Sequence, residues 1–92
     1  MINGNPSAFI DTAYSGQEIF FRFDGKKFMC QGYIDNGRCH IEIQQHVPWV
    51  SESIWHTQSI SMQECLEAFE KAPIFNGKTF WEAESEIEWL DE

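Results

Sequence analysis

Residues 18–46 carry the most regular pattern in the chain. Apolar side chains recur at alternate positions: Ile19, Phe21 and Phe23, then Phe28 and Cys30, then Ile34, then Cys39, Ile41 and Ile43. A period of two marks a strand with one buried face. Asp24-Gly25 and Asn36-Gly37 interrupt it, and these dipeptides suit the two central positions of a type I′ hairpin turn, where φ is positive. If each is a two-residue loop, Phe21 lies opposite Phe28, Ile19 opposite Cys30, Ile34 opposite Cys39, and Cys30 opposite Ile43. The apolar residues then share one face. Arg22, Lys27, Gln31, Tyr33, His40, Glu42, Gln44 and His46 share the other. A slip of one residue would mix the two sets. The prediction is a three-stranded antiparallel meander. In this register Cys30 and Cys39 are about 13 Å apart, beyond the ~7 Å reach of a disulfide.

Residues 51–59, "SESIWHTQS", are rich enough in strand formers to be a fourth strand. Pro48 places the stretch before it in a loop. From Ser61 the period lengthens. Ser61 and Glu64 have the spacing of a capping box, and Met62, Cys65, Leu66 and Phe69 follow at helical intervals. Pro73 ends that helix by residue 72.

"WEAESEIEW", residues 81–89, fits two patterns. Thr79 and Glu82 make a second capping-box spacing. On a helical wheel Phe80, Ala83, Ile87 and Leu90 fall within about 80°. A strand instead sets Trp81 and Trp89 on one face and Glu82, Glu84, Glu86 and Glu88 on the other. The helix is the reading adopted, because Glu and Ala favour it. The strand stays as the alternative. The expected architecture is a single α+β domain over residues 1–92: a small antiparallel β-meander of three to four strands, followed by two C-terminal helices packed on one face.

The N-terminal segment has no such pattern. Its Phe9, Ile10 and Tyr14 are expected to fold over the polar face of the meander, where Phe20 faces Met29. Gly4 is expected to tolerate substitution far better than the turn glycine Gly37.

Composition narrows the function classes. Ninety-two residues with 42% apolar and 15% aromatic content suffice for one core without metal or disulfides. Three cysteines without a CxxC motif suit reduced thiols. The N-terminus lacks the charged and apolar regions of a signal peptide, and no apolar run approaches the ~20 residues of a membrane span. A cytoplasmic location is expected, that of a host if the gene is phage-borne.

Net charge is −9. Phosphate contacts need Lys and Arg, so the charge opposes direct binding of nucleic acid or an anionic membrane and favours a basic protein partner. The excess is uneven. Residues 47–92 hold ten acids and two bases, a net of −8, whereas residues 1–46 hold five acids and four bases.

Catalytic and metal signatures are weak. His40 and His46 lie about 20 Å apart along one strand and cannot share an ion. The cysteines point into the core, and neither a GxSxG nor a phosphate-binding glycine loop occurs. No cofactor, metal or enzymatic activity is expected. A run of carboxylates is ordinarily solvated surface, but so large an excess in one half suggests a use. Small acidic proteins without catalytic motifs include toxin immunity proteins and phage proteins that block host nucleases. The leading expectation is an inhibitor of that type, occluding a basic, nucleic-acid-processing partner. Its contact residues would be Glu82, Glu84, Glu86, Glu88 and Asp91 with Trp81, Trp89 and Trp55. Changing the four glutamates to Gln should then leave the fold intact. The second expectation is an accessory module that pairs, with itself or another protein, through the aromatic patch around Phe20. The third is a small-molecule-binding or enzymatic domain using His40, Tyr33 and Glu42.

Overall fold

The computed structural model describes residues 1–91. Helix α1 (Pro6–Tyr14) leads into strands β1 (Ile19–Phe23), β2 (Lys26–Asp35), β3 (Arg38–Val47) and β4 (Ser53–Ser59). Helix α2 (Met62–Lys71), a short helix α3 (Phe80–Ala83), a 3-10 turn (Glu84–Glu86) and strand β5 (Glu88–Leu90) complete it. The architecture is α+β. One antiparallel sheet has the order β4-β3-β2-β1-β5.

The meander has the register that its alternation dictates. Phe21 pairs with Phe28, Ile19 with Cys30, Ile34 with Cys39 and Cys30 with Ile43. Both turns take positive φ at both central residues: 53° and 72° at Asp24 and Gly25, and the same pair of values at Asn36 and Gly37. That is the type I′ geometry the right-handed strand twist favours. Extra residues interrupt the ladders at His46 in β3 and Ile54 in β4.

The sheet has five strands rather than three or four, and the addition comes from the C-terminal segment. Residues 80–90 are neither one helix nor one strand. The Thr79–Glu82 capping box forms with both of its reciprocal bonds, and it starts a helix of only four residues. After the 3-10 turn the chain straightens and pairs along β1, with Phe20 opposite Leu90, Phe21 opposite Trp89 and Arg22 opposite Glu88. Without β5, the backbone of β1 would lack partners beside a buried phenylalanine, at a cost comparable to a lost hydrogen bond for each group. Helical propensity therefore wins at the start of the segment and tertiary pairing wins at its end.

The N-terminal segment is also a correction. It forms a helix, and it packs on the apolar face of the sheet rather than over the polar one. The Asn5 side chain accepts from the amides of Ser7 and Ala8 at 2.8 and 3.2 Å, with Pro6 at the first helical position, a favourable start for a helix. Phe9 is fully buried and contacts Phe21, Phe80 and Trp89. Gly4 is no neutral position either. A Cβ there would come 2.6 Å from Trp89 Cε3.

In α2, Ser61 accepts from the Glu64 amide at 3.2 Å. The Glu64 carboxylate turns away to accept from the Ser59 hydroxyl, so only half of the expected box forms.

All the helices lie on one side of the sheet. Between the layers Phe9, Phe21, Phe69, Phe80, Ile19, Ile41, Ile43 and Ile87 are almost wholly buried. Phe69 touches Trp55, Phe75 and Phe80. Cys30 shares this core, and burial pushes its thiol pKa up to about 12. No helix among the described residues is long and apolar enough to cross a membrane.

A candidate interaction surface on the open face of the sheet

Since α1, α2 and α3 all occupy one side, the side chains at the alternate strand positions form a face without a second layer among the described residues. Three cross-strand rows cover it. In the first, Tyr33, His40 and His56 run from β2 through β3 to β4. The Tyr33 and His40 rings are parallel within 4° with centroids 4.8 Å apart, and His40 Nδ1 lies 2.9 Å from His56 Nε2. A bond between two ring nitrogens requires one to accept, so at least one of these imidazoles is neutral. Burial, then the nearby charges of Glu42 and Asp35, raise the pKa of the Tyr33 hydroxyl.

In the second row Glu42 accepts from Gln31 Nε2 at 2.7 Å and from the Ser53 hydroxyl at 2.6 Å. The third row is aromatic. The Phe20 ring lies edge-on to His46 at 5.8 Å, and His46 lies 5.5 Å from the Trp49 ring. Lys27 Nζ sits 5.3 Å over the Phe20 ring. Val47 and Trp49 remain 55% and 63% exposed beside it. These rows satisfy one another: every buried side-chain nitrogen and oxygen among the described residues has a hydrogen-bond partner.

The residues expected to form an acidic contact face are dispersed. The Glu82 carboxylate accepts from the Thr79 amide at 2.9 Å, and these bonds to Thr79 hold its pKa below the usual carboxylate range. Glu84 binds the Met1 amino group at 2.7 Å, Glu86 binds Lys78 at 3.0 Å and Glu88 binds Arg22 at 3.0 Å. The run divides among a helix, a turn and a strand, so the four do not form one row. Trp55 packs on Phe69 and Trp89 on Phe9, both toward the core. Trp81 and Asp91 are exposed.

The asymmetry between the two halves of the sequence becomes an asymmetry between layers. The helical elements, with the 3-10 turn, hold Asp11, Glu64, Glu67, Glu70, Glu82, Glu84 and Glu86 against Lys71, a formal net of −6. The strands hold Arg22, Lys26, Lys27 and Arg38 against Asp35, Glu42 and Glu88, a net of +1.

Sequence reasoning placed His40, Tyr33 and Glu42 correctly on the face opposite the core. It missed the pairing of His40 with His56, because it left the register of β4 open. Once Glu42 pairs with His56 and His40 with Gln58, the two histidines are diagonal neighbours, within reach of long side chains. Among the described residues no cluster of three or more His, Cys, Asp or Glu side chains could hold a metal ion. No family model, curated protein or solved structure matches the chain.

Proposed function

We propose that this chain is a protein-binding module, an occluding or accessory subunit for a basic partner, which docks through the open face of the sheet around Phe20, His46, Val47 and Trp49. One observation carries the reading. Trp49 and Val47 stand exposed at the end of a row that continues through half-buried His46 and Phe20, on a sheet face that no second layer covers among the described residues, and the strands that form this face are nearly neutral in an otherwise acidic molecule. An exposed aromatic backed by further aromatic and apolar side chains is a typical anchor of a protein interface. A near-neutral contact face avoids burying unpaired charge. The net charge of −9 then acts at a distance, raising the rate of encounter with a basic protein rather than the affinity of the docked state.

A second reading keeps the acidic surface itself as the contact, with a basic nuclease-like partner occluded by it. Its support is α2, where three acids, Glu64, Glu67 and Glu70, stand against one base, Lys71.

The two readings part in one experiment. The partner recovered by the wild-type chain is offered to Trp49→Ser and to a Glu67→Gln, Glu70→Gln double variant. Under the open-face reading Trp49→Ser loses the partner, and the Gln variant keeps it with slower association at low salt. Retention by Trp49→Ser together with loss by the Gln variant would establish the acidic surface instead.

A further inference from the structure

The two edges of the sheet are finished differently. At β5 the edge is occupied. The Ile2 amide donates to the Ile87 carbonyl and the Trp89 amide to the Ile2 carbonyl, both at 2.9 Å, as a parallel bridge between Ile2 and Glu88. At β4 nothing comparable occurs. Its backbone pairs with β3 on one side, and among the described residues no other backbone segment bonds to 53–59.

An open edge is ordinarily blunted by Lys, Pro or an inward-pointing charge. β4 reads Ser-Ile-Trp-His-Thr-Gln-Ser, with none of these. Its single irregularity, at Ile54, leaves Trp55–Ser59 in unbroken register, a length of about 17 Å. Charge brackets this neutral strand. Exposed Glu52 precedes it, Glu64 holds Ser59 at its far end, and exposed Glu67 follows on α2, which packs against β4.

We propose that the free edge of β4, from Trp55 to Ser59, takes up an extended Lys- or Arg-bearing segment of a partner protein as a sixth strand. The ladder supplies affinity through main-chain hydrogen bonds, and the flanking carboxylates select basic residues at its ends. This rests on the reading of a basic partner and adds the conformation in which its segment binds. A second copy of this chain is the poorer occupant. Antiparallel self-pairing about His56 sets Ser53 against Ser59 of the other copy, so Glu52 of each copy approaches Glu64 of the other. That places like charges together at both ends, in addition to the repulsion of two chains of −9 each.

The test is amide hydrogen exchange of the whole chain, followed by NMR, with a blocked ten-residue peptide of alternating lysine and valine as probe. At saturation, exchange at the amides of Trp55–Ser59 that face outward slows about tenfold. The same peptide methylated at every backbone nitrogen, which keeps the charge and cannot form a ladder, leaves exchange unchanged. Equal slowing by both peptides, or none by either, overturns the proposal. So does slowing in peptide-free protein that grows with protein concentration, which would identify a second copy. Equal slowing by a glutamate–valine peptide overturns the choice of a basic segment, and with it the basic partner. Trp49→Ser retains the β4 protection even if the open-face reading fails, so the two failures are distinguishable.

Discussion

Phe20 and Phe21 are neighbours on β1 and meet opposite fates. Phe21 is 1% exposed and packs against Phe9, Phe28 and Phe75 in the core beneath the helical layer. Phe20 lies on the far side of the strand, with His46 at its edge and the Lys27 ammonium over its ring. The face to which Phe21 belongs is held by removal of apolar area from water, which is non-directional and large. The face to which Phe20 belongs is held by directional contacts between rows of side chains. Those contacts organise the surface without contributing much net stability. Stability should therefore reside mainly on the first face, and recognition on the second.

The sharpest way to break that contrast is Phe69→Ala. Phe69 is fully buried, and truncation there should cost about 3–5 kcal/mol, a large share of the stability of so small a domain. Urea unfolding that gives a loss below about 1 kcal/mol would mean that the core face is not the stabilising one.

Gly4→Val and Gly37→Val come next, each at about 1–3 kcal/mol but for different reasons. Valine at 4 is driven into Trp89, whereas at Gly37, with φ of 72° and open space around it, the strain lies in the backbone. Gly37→Asn should recover much of the loss because Asn tolerates positive φ, and Gly4→Asn should not. Thermal melts of the four variants check this.

Replacing Glu82, Glu84, Glu86 and Glu88 together by Gln removes three ion pairs and weakens a helix cap. The expected result is a loss of about 1–2 kcal/mol with the fold retained. An unaltered melting temperature would return these carboxylates to the solvent. Ser61→Ala should cost about 1 kcal/mol, measured in the same way.

The smallest effect on stability belongs to the open face. Trp49→Ser should change unfolding free energy by no more than about 0.5 kcal/mol while abolishing partner capture. A stability loss of several kcal/mol would show Trp49 to be structural and erase the distinction between the two faces.

How much was legible in the chain follows from the range of the interactions concerned. Type I′ turns depend on Asp24-Gly25 and Asn36-Gly37, and the period-two pattern confirms their register within thirty residues. Helix α2 depends on Ser61 and on apolar residues three and four apart. These are local, so the meander, its two faces and the second helix could be read directly. The Asn5-Pro6 start of α1 is equally local but gives a weaker signal, because only Phe9 and Ala13 of that helix are buried and no apolar stripe announces it.

The sequence by itself determined an α+β domain, a meander in one register, and an excess of acid in its second half, since each is set by residues close together in the chain or by composition. The tertiary structure alone decided the rest. Residues 88–90 become a strand because the free edge of β1, more than sixty residues away, offers partners that a helix could not use. The acidic run is divided because Glu84, Glu86 and Glu88 each find a cation brought from elsewhere: the Met1 amino group, Lys78 and Arg22. The placement of every helix on one side of the sheet left the other face open and gathered the negative charge into the helical layer. Which groups meet across such distances depends on how the layers pack, and no local pattern records it.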